Sequence, residues 1–249
     1  MNAKPRAPRT AVVLAAGMGL RMRPLTDDRP KALVEVAGRT LIDHMLDRLA
    51  VAGIVRVIVN VHAHADLLEA HLKGREDLEV LISDERDHLL ETGGGLKRAR
   101  PLLGQEPILV ANIDSVWTEG AASALATLTA AWDAGVMDDL LLLVGVEHSL
   151  GFDSPGDFFR EPDGRLRHRG EAGAAPFAYM GVHMLEPRII DAWPTGAYSI
   201  FPRWMDLQRK GRLHGAVMDG RWMHVGDPAA RDAAERELGT GAHEGQGCA

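Results

Sequence analysis

Residues 10–33 read TAVVLAAGMGLRMRPLTDDRPKAL. An apolar run ends in a glycine loop, and Arg21, Arg23 and, just after Pro30, Lys31 follow it. A Gly-rich turn exposes backbone N–H groups that can cradle phosphate. A guanidinium offers a planar fork that matches phosphate oxygens, and an ammonium adds a compact positive charge. Any one of these basic residues alone is most simply a solvated surface charge, so the cluster carries the inference. Two common phosphate motifs do not fit. The G-x-G-x-x-G fingerprint finds Gly17 and Gly19 but meets Met22 where its third glycine permits close helix-to-strand packing. The P-loop fails because no G-K-[ST] follows at its spacing.

Further along, PILVANID ends in Asp114, LETGGG spans residues 90–95, and WMHVGDP spans 222–228. An Asp at a strand end is often only a turn residue or a helix cap. Three adjacent glycines read either as a flexible turn or as backbone that lets a flat group approach closely. His62 and His64 alternate after an apolar run, but no acid sits at zinc-site spacing, so they read as surface or loop residues. Trp117, Trp193, Trp204 and Trp222 suit a core or a pocket wall better than a stacking platform for nucleic acid.

Short apolar runs alternate with amphipathic segments. TAVVLA (10–15), VRVIVNV (55–61), EVLIS (79–83), PILVANID (107–114) and DLLLLVGV (139–146) read as strands. Residues 41–52, 65–73, 94–103 and about 120–134 read as helices, with Leu41, Ile42, Met45, Leu46 and Leu49 on one face of the first. Gly53 suits its C-cap. Strands with continuous apolar runs and intervening helices predict an α/β fold, with a mostly parallel, Rossmann-like central sheet and helices on both faces. Ligands of such sheets sit beyond the carboxyl ends of the strands. The glycine loop follows the first strand and Asp114 ends the fourth, so one crevice can receive both. After residue 150 the pattern loosens. A hairpin is expected around Asp163-Gly164, a strand over 177–185, two strands joined at Asp219-Gly220 within 213–227, and a helix over 228–238. We expect one domain over 10–238, with flexible tails at 1–9 and 239–249.

The 249 residues carry a formal net charge of -7 and 46% hydrophobic residues. A chain of this length can bury a sizeable core unaided. The negative balance argues against nucleic acid as a partner, and no apolar stretch approaches the roughly 18 residues of a membrane span. Cys248 is the only cysteine, which excludes an internal disulfide and fits a reducing compartment such as the cytoplasm.

Taken together, L-A-A-G-x-G-x-R-M-x-P-L-T…P-K resembles the signature of the sugar-1-phosphate nucleotidyltransferases. Leu14–Gly17, Gly19, Arg21, Met22, Pro24–Thr26, Pro30 and Lys31 match it. LETGGG, NID (112–114), GDF (156–158) and WMHVGDP extend the likeness over most of the chain. The resemblance implies a glycosyltransferase-A-like fold that binds a nucleoside triphosphate and a sugar 1-phosphate and releases NDP-sugar and pyrophosphate. It is similar above all to uridylyltransferases that pair UTP with N-acetylmuramate 1-phosphate, in the recycling of cell-wall sugar. Mannose- and heptose-1-phosphate guanylyltransferases are the alternative.

By this resemblance Arg21, Lys31 and Asp114 are catalytic. Ala15, Ala16, Gly17, Gly19, Leu20, Arg21, Lys31, Thr92, Gly93 and Val110 contact the nucleotide, and Asn112 and Asp157 contact the sugar phosphate. Asp114 holds magnesium, a hard cation suited to a carboxylate. Relatives often carry a second Asp where this chain has His224, and imidazole suits zinc or manganese better than magnesium. His224 is thus a candidate metal ligand, and it also leaves open a non-catalytic nucleotide-sensing module on the same fold. No Glu-Lys-Pro follows the sheet, so a phosphate contact there would fall to Arg167 or Arg169. The chemistry needs no general base, because a phosphate monoester is largely ionised at pH 7, with a second pKa of about 6.

Overall fold

A computed structural model of the chain describes residues 7–244. β1 (Thr10–Leu14) leads into the glycine loop, and two short 3-10 turns, Leu20–Met22 and Lys31–Leu33, carry Arg21 and Lys31. The small hairpin of β2 (Glu35–Val36) and β3 (Arg39–Thr40) precedes α1 (Leu41–Val51). The Thr40 hydroxyl accepts the Asp43 N–H at 3.2 Å, satisfying one of the amides that a first helical turn leaves unpaired. β4 (Arg56–Val61), α2 (Ala65–Leu72), β5 (Glu79–Asp84) and α3 (Glu91–Ala99) continue the alternation. β6 (Ile108–Asn112), β7 (Ser115–Glu119), α4 (Ala124–Ala131) and β8 (Asp139–Gly145) follow. The remainder is β9 (Ser149–Leu150), the hairpin of β10 (Phe158–Arg160) and β11 (Leu166–His168), β12 (Phe177–Leu185), α5 (Phe201–Arg209), β13 (Leu213–Val217), β14 (Gly220–His224) and α6 (Pro228–Glu244).

The main sheet runs β11-β10-β12-β6-β1-β4-β5, with β8 also on β12 and β13 on β8. β6, β1, β4 and β5 are mutually parallel, whereas β12 lies antiparallel between β6 and β8. Alternate residues feed two cores, as a sheet covered on both faces requires. Ala11, Val13, Val57 and Val59 pack with Leu41, Met45 and Leu49 of α1 and with Leu68 of α2. Val12, Ile58 and Val110 pack with Leu96 and Ala99 of α3 on the opposite face. The carboxyl ends of three strands then coincide, because Leu14 is in register with Asn60 on one side and Asn112 on the other. Trp117, Trp193, Trp204 and Trp222 are all buried.

Several elements differ from the sequence expectations. The helix expected over 94–103 starts at Glu91 and ends at Ala99, so the three glycines form its first turns rather than a flexible loop. Ser115–Glu119 is a strand that the sequence reading did not anticipate, and the helix expected from about residue 120 starts after Ser123, whose hydroxyl caps it. The two strands within 213–227 do not pair with each other. β13 joins β8 in the main sheet, while β14 pairs with β7 and β9 in a separate three-stranded sheet. The Asp219 corner makes that switch possible: its carbonyl and carboxylate accept the N–H groups of Gly120 (2.7 Å) and Ala121 (2.9 Å), which ties the corner to the end of β7. α6 extends past residue 238 to Glu244, and the Arg9 carbonyl accepts from Val55 and Arg56. Of the expected tails, 1–6 and 245–249 lie outside the described residues.

Gly181 shows how closely the elements meet beside the crevice. It sits in β12 with φ +83, where the register with β8 shifts. A Cβ there would overlap the Ser115 hydroxyl and press on the Asn112 side chain. Gly181→Ala should therefore combine an unfavourable positive φ with overpacking, costing about 2–4 kcal/mol of unfolding free energy by denaturant titration.

Candidate active site

The glycine loop is shaped from both ends. Gly19 adopts φ +63, and its carbonyl accepts the Thr26 hydroxyl at 2.8 Å, so the P-L-T part of the signature braces the loop. At the other end the Asn60 side-chain oxygen accepts the N–H groups of Ala15 (2.5 Å) and Ala16 (3.1 Å). Among the described residues, the N–H groups of Gly17, Met18 and Gly19 carry no hydrogen bond, and Gly17 and Met18 are exposed. These amides, next to the exposed Arg21, are free to meet an anion.

Lys31 and Asp114 meet beneath the loop. Lys31 is buried, and its Nζ donates to Asp114 Oδ2 at 2.8 Å. Pro30, extended at φ -70, turns the chain into the 3-10 turn that aims the lysine. Asp114 stands in the tight turn between β6 and β7, held by Ile113 N–H on the Leu14 carbonyl (3.3 Å) and Val225 N–H on its own carbonyl (2.9 Å). The antiparallel pairing of β7 with β14 sets Ser115 opposite His224 and so brings His224 Nε2 to 3.4 Å from Asp114 Oδ2. His224 Nδ1 lies 3.1 Å from the Gly151 carbonyl, which can only accept. That contact orients the ring so that Nε2 faces the carboxylate. Burial raises the Asp114 pKa, but the Lys31 charge and the His224 contact outweigh it and hold the carboxyl well below the usual range.

A cavity of about 540 Å³ opens between the glycine loop and the start of α3. Of the residues named from the sequence, Ala16, Gly17, Gly19, Leu20, Arg21, Lys31, Thr92, Asn112 and Asp114 line it. Five other candidates do not, His224 among them. Ala15 is buried behind the loop with its N–H bound to Asn60. Val110 is fully buried in the core under α3, because its side chain alternates away from the crevice. Gly93 is packed on Tyr198: its N–H donates to the Tyr198 carbonyl at 2.9 Å, and an added Cβ would overlap the tyrosine ring. Its lack of a side chain thus serves packing, not approach to a base. Asp157 lies outside the cavity at the foot of β12, where it accepts the Tyr179 N–H at 3.0 Å, and burial leaves its carboxyl raised. Arg167, stacked 4.2 Å over the Phe159 ring, and Arg169 also lie outside.

Residues that the sequence reading missed complete the walls. Asn60, Glu85, Leu89, Glu91 and Ser199 line the cavity. Ser199 arrives because the Thr92 hydroxyl accepts the Ile200 N–H at 2.9 Å, which fixes the 198–200 segment on α3. No local pattern in the sequence marks that contact, since the partners are 108 residues apart.

This arrangement has the features of a nucleotidyl-transfer site: a free amide loop, a lysine and an acidic residue at the carboxyl ends of parallel strands. Residues 10–149 match the family model for nucleotidyl transferases, and the chain belongs to that family. It is 52% identical over 237 residues to the N-acetylmuramate alpha-1-phosphate uridylyltransferase of Caulobacter vibrioides, covering 94% of this chain and 98% of the relative. The protein of the same description from Neisseria meningitidis serogroup B is 33% identical, over 87% and 92%. Among solved structures, the inositol-1-phosphate CTP transferase of T. maritima superposes with a TM-score of 0.78 at 19% identity, over 98% of this chain and 99% of that one. At that identity the likeness speaks for the fold.

Two predictions test the geometry. Thr26→Val removes the brace on Gly19 and should weaken nucleotide binding several-fold by calorimetry, for a lost bond worth about 1 kcal/mol. Asp114→Asn should lower stability at pH 7 by roughly 2–3 kcal/mol, because Lys31 loses its buried partner. The folded-state pKa of Asp114 is depressed, so its contribution is present above the unfolded value of about 3.9 and is lost as pH falls through the folded value. Thermal unfolding should show the gap between wild type and variant constant from about pH 5 to 8 and closing below about pH 4.

Proposed function

We propose that this chain transfers a uridylyl group from UTP to N-acetylmuramate 1-phosphate, giving the UDP-sugar and pyrophosphate. The observation that carries the reaction type is the Lys31–Asp114 contact beside the free amides of Gly17–Gly19. The choice of substrates rests on the 52% identical relative. Nucleoside triphosphate is a cytoplasmic substrate, and we place the enzyme there. Among the described residues no helix is long and apolar enough to cross a membrane.

The sugar phosphate supplies its own nucleophile. Its oxygen attacks the α-phosphorus, and the bond to the bridging oxygen of pyrophosphate breaks. The protein has to align two anions and offset their repulsion, so the work is positioning and charge. The glycine-loop amides and Arg21 bind the leaving phosphates. Lys31 neutralises charge at the reacting phosphate, and Asn112, at the edge of the cavity beside Asp114, orients the incoming phosphate.

Magnesium fits this site in a limited sense. Among the described residues no group of three or more metal-ligating side chains occurs, so the chain offers Asp114 and, turned toward it, His224 Nε2. Magnesium is commonly held by one or two carboxylates with substrate phosphates completing its shell, and Asp114 meets that need. When bound, the ion would supply Lewis-acid stabilisation of phosphoryl charge.

The test is pyrophosphate release with UTP, GTP, CTP, ATP and dTTP crossed against a panel of sugar 1-phosphates. Release requiring UTP and N-acetylmuramate 1-phosphate together is the expected result, and release with another pair instead would replace the substrate assignment. Lys31→Ala and Asp114→Ala should each lower kcat by about 100-fold or more while retaining the wild-type circular dichroism spectrum.

A further inference from the structure

Asn60 and Glu85 line the cavity, yet they are 3% and 0% exposed. Asn60 is the last residue but one of β4, in register with Leu14 on β1 and Ser83 on β5, and Glu85 stands one residue past β5. The two side chains meet across that edge, with Asn60 Nδ2 donating to Glu85 Oε1 at 2.8 Å. The other Asn60 atom, Oδ1, holds the N–H groups of Ala15 and Ala16, and the other Glu85 oxygen accepts the Leu90 N–H at 3.0 Å, just before α3. One amide and one carboxylate therefore connect the root of the glycine loop to the entrance of the helix that carries Thr92.

Burying a carboxylate is costly unless hydrogen bonds replace its water, and both Glu85 oxygens are so supplied. Glu85 is also pinned by its backbone: its N–H donates to the Val61 carbonyl at 2.8 Å, and its carbonyl meets His62 Nδ1 at 2.7 Å. Space is reserved for the pair. A Cβ on Gly95 would come within 2.8 Å of Glu85 Oε1 and 3.0 Å of Asn60 Nδ2, which accounts for the third glycine of LETGGG. Apolar side chains of similar size would fill this volume with less desolvation, so stability alone does not call for a polar pair.

We propose that Asn60 and Glu85 are positioning residues for the nucleotide. By occupying the amides of Ala15 and Ala16 they leave Gly17–Gly19 as the anion cradle, and they fix the distance from that cradle to the Thr92 wall. The pair touches no reacting atom. It acts on one substrate, the nucleotide, because both segments it joins, the glycine loop and the start of α3, carry the residues that the proposed function assigns to the nucleotide.

The proposal rests on the nucleotide-binding reading of this cavity, so binding is measured first with UTP alone by calorimetry on the full chain, without sugar. Asn60→Ala and Glu85→Leu should raise the UTP Kd and KM about tenfold or more, with the KM for the sugar 1-phosphate little changed; Glu85→Leu strands the Asn60 Nδ2 and Leu90 N–H donors, so its melting temperature should fall as well. Glu85→Gln, which keeps an acceptor for one donor, should recover most of the loss and remains the readable variant if Glu85→Leu does not fold. Wild type that binds no nucleoside triphosphate would sink the functional reading itself. Wild type that binds UTP, with folded variants that bind it equally well, would overturn the positioning role. So would equal losses for both substrates that track the fall in melting temperature.

Discussion

The contact between Lys31 and Asp114 is the constraint around which the other parts of the site are placed. The residues are 83 apart in the chain and 2.8 Å apart in space, both largely withdrawn from water. A buried ammonium alone would be expensive, and so would a buried carboxylate. Each makes the other tolerable, and in doing so each is delivered to the mouth of a cavity suited to phosphate. Local structure serves that delivery: the 3-10 turn after Pro30 presents the lysine, and the turn between β6 and β7 presents the aspartate.

The sheet supplies the geometry. Parallel strands end on one edge, so Leu14, Asn60 and Asn112 emerge together, and the loops that follow β1 and β6 share one crevice. A second, smaller sheet adds what the main sheet cannot reach. β14 leaves the line of β13 at the Asp219 corner, pairs with β7 and sets His224 beside Asp114. Segments more than a hundred residues apart thus converge on one site. Packing on both faces of the sheet does the holding, through cores built by alternate side chains of the same strands.

Much of this was legible in the sequence because the signals are local. The apolar run into Gly17 and Gly19 marks a strand and an exposed glycine loop, and the position of Asp114 after PILVANI marks a turn at the carboxyl end of a strand. What was not legible depends on contacts between distant segments. Gly93 reads as backbone that a base could approach, but Tyr198 fills the space above it. Val110 sits in a strand that reaches the site, yet the period-2 alternation points it into the core. No local pattern singles out Asn60 in VNVHA or Glu85 in SDERD, and only the registers of β1, β4 and β5 show that they face each other. The 213–227 segment reads as a hairpin because two apolar runs flank Asp219-Gly220. Sheet membership, decided by the partners of each strand, separates them.

On the proposed reading the Lys31–Asp114 pair is a resting arrangement, in which each charge is met by an opposite charge in the substrate complex. A crystal structure with UTP bound probes that role without intermediaries. Lys31 Nζ should then be found at about 3 Å from a nucleotide phosphate oxygen, with the phosphates over the amides of Gly17–Gly19. A bound nucleotide whose phosphates lie elsewhere, with Lys31 still committed to Asp114, would contradict it.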